Sequence, residues 1–253
     1  MAGIKEIFGS VKMQGDIPAF YIYGDITSSP YDSWDENEDV CPAFVRDFID
    51  KYKGKEVHIH INSPGGNVFS GVAIYNMLKA REGKTVVYID GLAASAASVI
   101  ALAGDIVYMP KGSMMMIHEP WVLCAGNASE LRAQADSLDK ICESITAIYQ
   151  ECSGAELEDI ANMLRAETWL TAEEAMDLFG NVIVDEGRQA CACARGDSLK
   201  WYDKIPKALT FEDGTQGQGD TTNLIEIAEA EDMNREIDEL IAKVEIDEML
   251  VKK

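Results

Sequence analysis

From residue 20 to residue 117, short apolar runs alternate with segments whose apolar residues recur every three to four positions. Phe20-Tyr21-Ile22-Tyr23-Gly24 predicts a short buried strand, and the acidic, turn-rich residues 28–39 predict a loop. Residues 43–53 put Phe44, Val45, Phe48 and Ile49 on one face, the spacing of a helix. Residues 57–61 predict a strand that runs into a Pro64-Gly65-Gly66 turn. A helix over 71–81 carries Val72, Ile74, Tyr75 and Leu78. Strand 85–89, helix 96–103 and strands 105–109 and 114–117 follow. Strands and helices alternating at this spacing predict an α/β fold of βαβ units with a largely parallel sheet. Ligands in such sheets bind beyond the carboxyl ends of the strands, where both Gly65-Gly66 and Ser95 fall.

The second half reads differently. Residues 128–152 predict one long helix, with Leu131, Ala135, Leu138, Ile141, Ile145 and Ile148 in a stripe and Asn127 or Ser129 as its cap. Its length suits a helix that projects and packs on another subunit, against the plainer reading of a core helix. Residues 156–164 and 171–179 predict shorter helices, and 182–184 a closing strand. Beyond residue 207 the composition changes. Residues 214–219 read as a flexible polar linker. Residues 211–253 hold 13 acidic side chains against 4 basic ones, with a helical stripe at Met233, Ile237, Leu240, Ile241 and Val244. The chain therefore divides into a domain over 1–206 and an acidic amphipathic extension over 207–253.

Composition narrows the function classes. With 253 residues, 47% of them hydrophobic, the chain can bury a full core. A formal net charge of −22 argues against a nucleic-acid surface and disfavours anionic membranes. None of the six cysteines has C-x-x-C spacing, and three histidines leave little for a metal centre, so no metal or cofactor is expected. The absence of a signal-peptide pattern predicts reduced thiols and a cytoplasmic protein. The apolar run 91–104 is too short to span a bilayer.

Candidate chemistry centres on Gly91-Leu92-Ala93-Ala94-Ser95-Ala96-Ala97-Ser98. Small residues around one serine, between a strand and a helix, leave a hydroxyl accessible and backbone N–H groups free. Ser95 is the best nucleophile by context, with Ser98 as the rival one turn later. His118, directly before Glu119-Pro120, is the candidate base; its plainer reading is a packed core residue. His58 and His60 share a strand face and read as sheet-face residues. Gly65-Gly66 is either a plain turn or a backbone N–H aimed at a substrate carbonyl.

Three segments together resemble the Clp protease proteolytic subunit (ClpP) family of serine peptidases. They are Ile61-Asn62-Ser63-Pro64-Gly65-Gly66, Gly91-Leu92-Ala93-Ala94-Ser95 and Met116-Ile117-His118-Glu119-Pro120. A fourth, Glu167-Thr168-Trp169-Leu170-Thr171-Ala172-Glu173-Glu174-Ala175, is similar to the segment that supplies the family's third triad member. The resemblance spans residues 17–188. It implies the Clp/crotonase fold, with residues 128–152 as a projecting handle helix joining two homo-oligomeric rings. It also implies Ser95 as nucleophile, His118 as base, and Gly66 and Ala96 as the backbone oxyanion donors. Glu167 stands where many members carry aspartate, and its extra methylene requires its backbone to sit slightly further from the imidazole.

Residues 1–17 have no counterpart of the family's pore-loop segment. The insertion at 28–39, the acidic extension and the wording around Glu167 look more like the head maturation proteases of tailed phages and prophages. That resemblance implies an ATP-independent endopeptidase acting on scaffold or capsid polypeptides in the host cytoplasm or within proheads. The alternatives are a degradative paralogue working with an ATP-driven unfoldase and a non-catalytic ring protein that keeps the fold. An acyl-CoA-handling crotonase shares the glycine-turn oxyanion hole but not a Ser/His pair, and a Ser-Lys signal peptide peptidase fits less well because it gives His118 no role.

Overall fold

The computed structural model describes residues 11–32, 39–190 and 202–206. The acidic extension over 207–253, most of the insertion after residue 32, and Cys191 and Cys193 lie outside the described residues. One eight-stranded sheet runs in the order β1 (Val11–Gln14), β2 (Ile17–Ile26), β3 (Val57–Gly66), β4 (Thr85–Ala94), β5 (Ile106–Pro110) and β8 (Val182–Asp185). From β2 to β8 every pairing along this path is parallel, and only β1 runs antiparallel to its neighbour. Between the strands lie α1 (Pro42–Lys51), α2 (Val68–Ala80) and α3 (Ala96–Ala101). Phe20, Ile59, Ile61, Val87, Ile89 and Ile100 are among the fully buried core residues.

The sheet forks at β4, and the fork positions the site. The first half of β4 pairs with β5, Val86 to Tyr88 against Ile106 to Tyr108. The second half pairs instead with β6 (Met114–Ile117), Leu92 to Ala94 against Met114 to Met116. β6 in turn pairs antiparallel with β7 (Thr168–Thr171). The residues that follow β4 and β6 are thus carried out side by side at their carboxyl ends.

Several boundaries differ from the sequence expectation. β3 does not stop at residue 61 but continues through Gly66, because Asp25 and Ile26 of β2 keep pairing with Gly65 and Gly66. The helix after it starts at Val68, capped by the Asn67 side chain accepting from Ser70 N–H at 2.9 Å. β4 runs to Ala94 because its second half finds β6 as a partner. β1 and β7 were not expected: four residues carry too little periodicity, and only their partners make them strands.

The long helix is α4 (Ala128–Ser153), opened by a capping box of Asn127 with Glu130. Only Ile145, Thr146 and Tyr149 of α4 are buried, all in its carboxyl-terminal half, and Leu131 stays 43% exposed. The apolar stripe therefore covers the core at one end and projects at the other, as a handle does. α5 (Leu157–Arg165) and α6 (Ala172–Leu178) complete the fold.

Candidate active site

Ser95 sits at the elbow between β4 and α3 with φ 54° and ψ −123°, a left-handed conformation uncommon for a non-glycine residue. Ser95 N–H donates to Met116 O at 2.8 Å, which ties the elbow to β6. Two residues beyond Met116, His118 presents Nε2 to Ser95 Oγ at 2.8 Å. The fork of the sheet thus brings together two side chains that stand 23 positions apart.

The elbow is tightly packed, which explains its small residues. A Cβ added at Gly65 would lie 2.6 Å from Ala94 O, 2.8 Å from Ser95 Cβ and 3.1 Å from Ala96 N. One at Gly71 would lie 2.9 Å from Ala96 Cβ. Gly65 and Gly66 have φ of 101° and 137°, so the turn needs glycine for conformation as well as space. The Gly65-Gly66 strand end therefore lies directly against the Ser95–Ala96 elbow. Ala96 is the first residue of α3, where a backbone N–H has no acceptor within the helix.

Ser98, the rival nucleophile, is fully buried. Its Oγ donates to Ser95 O at 2.7 Å and lies 2.7 Å from the Tyr149 hydroxyl. It is a structural hydroxyl that ties the elbow to α4. Ser98→Ala is expected to leave Tyr149 buried without this partner and to cost about 1–3 kcal/mol, read as a lowered unfolding midpoint in urea.

Burial pushes the His118 pKa below 6.5, partly offset by the charge of Glu167. The neutral imidazole is the form that can accept a proton. The reactivity of Ser95 is therefore expected to climb with pH through an inflection below 6.5 and to be flat at neutral pH. Glu167→Gln removes the charge that raises His118, so the inflection is expected to move further down. Rates of fluorophosphonate labelling across pH 4–8 read both effects.

Glu167 itself has a positive φ of 49°. Its carboxylate accepts from Lys204 N–H at 2.7 Å, Asp203 N–H at 3.0 Å and Trp169 Nε1 at 3.2 Å. Desolvation raises its pKa, but these donors and His118 outweigh it and hold the group below its ordinary value. None of its hydrogen bonds goes to His118. Ser95 and His118 are thus brought into contact, while Glu167 lies in their field with its oxygens engaged elsewhere.

A cleft of about 560 Å³ opens beside Ser95. Its lining includes Gly66, Ala96, His118, Ile145 and Tyr149. It also includes Tyr202, which the sequence did not single out and which no periodicity marks. Tyr202 is 7% exposed, and its ring meets His118 edge-on at 5.1 Å and Trp169 at 6.2 Å. His58 and His60, on the sheet face, are engaged by Gln14 and Asp90 respectively at 2.8 Å.

A serine on a strand-to-helix elbow of an α/β sheet, hydrogen-bonded to histidine, is the arrangement found in serine hydrolases. The family model for Clp protease matches residues 44–185, and the chain belongs to the Clp protease family. An ATP-dependent Clp protease proteolytic subunit of Ligilactobacillus salivarius is 31% identical over 150 residues, which cover 57% of this chain and 76% of that subunit. One of Bacteroides fragilis is 32% identical over 131 residues, covering 49% of this chain and 61% of that subunit. Among solved structures, a ClpP1 point mutant from Listeria monocytogenes superimposes with a TM-score of 0.55 at 26% identity, covering 73% of this chain and 95% of that one. Among the described residues, no helix is long and apolar enough to cross a membrane.

Proposed function

We propose that the protein is a serine endopeptidase of Clp type, with Ser95 as nucleophile and His118 as general base. The observation that carries this reading is the 2.8 Å contact of Ser95 Oγ with His118 Nε2 at a left-handed elbow. Ser95 Oγ attacks the scissile carbonyl while its proton passes to His118 Nε2. Gly66 and Ala96 N–H groups receive the oxyanion. The imidazolium then protonates the departing amine, and water releases the acyl group by the same route reversed. Glu167 orients the imidazole when its carboxylate is turned to Nδ1. The chain's own residues supply every step. The substrates are polypeptides, and the working form is a homo-oligomeric ring or a pair of stacked rings, with α4 as the handle between them.

Incubation with a fluorophosphonate probe, mapped by mass spectrometry, tests the nucleophile. Labelling at Ser95 that is lost in Ser95→Ala supports the reading, and labelling at Ser98 overturns the assignment. No labelling in a sample shown by light scattering to be assembled favours the non-catalytic ring protein.

Two physiological settings follow from different observations. The wording around Glu167 and the acidic extension support a phage or prophage head maturation protease that processes scaffold or capsid proteins. The similarity to ATP-dependent Clp protease proteolytic subunits supports a degradative subunit paired with an ATP-driven partner. Degradation of a folded protein that depends on ATP and a Clp unfoldase selects the second. Loss of prohead incorporation on deleting residues 208–253, with peptide cleavage retained, selects the first.

A further inference from the structure

Residues 202–204 meet the site at two points at once. Tyr202 sends its ring into the cleft beside His118 and Trp169, and its hydroxyl donates to Pro64 O, immediately before the Gly65-Gly66 strand end. The next two residues turn their backbone N–H groups onto the two oxygens of Glu167. Lys204 Nζ adds a hydrogen bond to Ala166 O. A carboxylate that accepts two main-chain N–H groups and an indole N–H has most of its acceptor capacity spent. In a Ser-His-carboxylate triad the carboxylate accepts from the imidazole Nδ1–H and so fixes the tautomer and orientation of the base.

We propose that Tyr202, Asp203 and Lys204 form an intramolecular strap that holds the active site in a resting state. The inference rests on Ser95 and His118 being the nucleophile and base. The two contacts act together. Tyr202 occupies space a substrate side chain would enter, next to the oxyanion donors. The Asp203 and Lys204 amides keep the Glu167 carboxylate from His118. Because the strap is part of the same chain, it competes with substrate at a high effective concentration. Lifting it frees the cleft and returns Glu167 to the imidazole in one movement. Burial, the main cause, pushes the Tyr202 phenol up, so it stays a neutral donor to Pro64 across the working pH range.

The test compares Ser95 labelling by the fluorophosphonate probe in the full chain, in Tyr202→Ala and in Lys204→Pro. The first variant empties the cleft, and the second deletes the Lys204 N–H donor to Glu167, together with the Lys204 Nζ contact to Ala166 O, while leaving Tyr202 in place. A strap that leaves the open form at a few per cent predicts labelling roughly 10- to 100-fold faster in both variants. Hydrogen exchange of the Asp203 and Lys204 amides is the readout that needs no activity. It is expected to be slow in the parent and fast in Glu167→Ala. Equal or slower labelling in Tyr202→Ala overturns the proposal, slower labelling meaning that Tyr202 props His118. Equal exchange in the parent and Glu167→Ala also overturns it. If Ser95 is labelled in no form, the nucleophile reading itself fails and the strap's regulatory role falls with it. Labelling of the parent separates that failure from failure of the strap alone.

Discussion

His118→Ala is expected to lower peptide hydrolysis by roughly 10⁴- to 10⁶-fold while leaving the fold in place. The size follows from the role. Without an acceptor at 2.8 Å, Ser95 Oγ keeps its proton and is a poor nucleophile at neutral pH. Triad members act as a unit, so losing the base alone removes most of what the triad provides. What survives is the oxyanion site and substrate binding. The fold is expected to persist because His118 lies past the end of β6, outside the main apolar core, and its hydrogen bond is the one to Ser95. Turnover of a fluorogenic peptide under saturating conditions, with circular dichroism of the same sample, measures both. A loss smaller than tenfold would remove His118 from the chemistry.

The second large effect falls on the Gly65-Gly66 strand end, where one methyl group decides between a site and no site. A Cβ at Gly66 would stand 2.3 Å from Ile26 O and 2.9 Å from Ile26 N. Both are backbone atoms inside the β2–β3 ladder, which cannot move aside as a side-chain tip can. At Gly65 the nearest atom is again backbone, Ala94 O at 2.6 Å. Each alanine therefore incurs a left-handed backbone penalty and an overpacking penalty, each about 1–3 kcal/mol, for a total of about 2–6 kcal/mol. Gly15 is the control. It has φ 62° but no atom within 4 Å of an added Cβ, so Gly15→Ala meets only the conformational cost of about 1–2 kcal/mol. Urea unfolding of the three variants separates packing from conformation. In the folded fraction, Gly66→Ala is further expected to lose on the order of 10²–10³ in turnover through a displaced oxyanion donor. Equal destabilisation at Gly15 and Gly66 would show that the close approach of Gly66 to Ile26 carries no energy.

These two sites differ in how readable they were. The elbow was legible only in combination: a Gly/Ala/Ser run also occurs where helices pack closely, and it gained weight from the Pro64-Gly65-Gly66 segment upstream and the His118-Glu119-Pro120 segment downstream. The alternation of strand and helix periods gave the parallel sheet, and the stripe on residues 128–152 gave the long helix within one residue of its observed end. Context and family resemblance favoured Ser95 over Ser98, but both sit among the same small neighbours, so the sequence did not show what surrounds each hydroxyl. In the fold Ser98 is buried between Ser95 O and the Tyr149 hydroxyl, whereas Ser95 faces His118 and the cleft, a difference that depends on α4 and β6.

What the sequence by itself determined is local: periodicity, turn chemistry, the glycines a left-handed backbone needs, and the residue types that acyl chemistry requires. The rest was decided by partners distant in the chain. β3 and β4 run on past their predicted ends because β2 and β6 pair with them, and the forking of β4 is what sets His118 beside Ser95. Tyr202 reaches the cleft and the Asp203 and Lys204 amides reach Glu167 across 36 and 37 positions, for which no spacing rule exists. Local pattern is set by the geometry of one strand or helix, whereas such meetings depend on how the whole sheet twists, forks and closes.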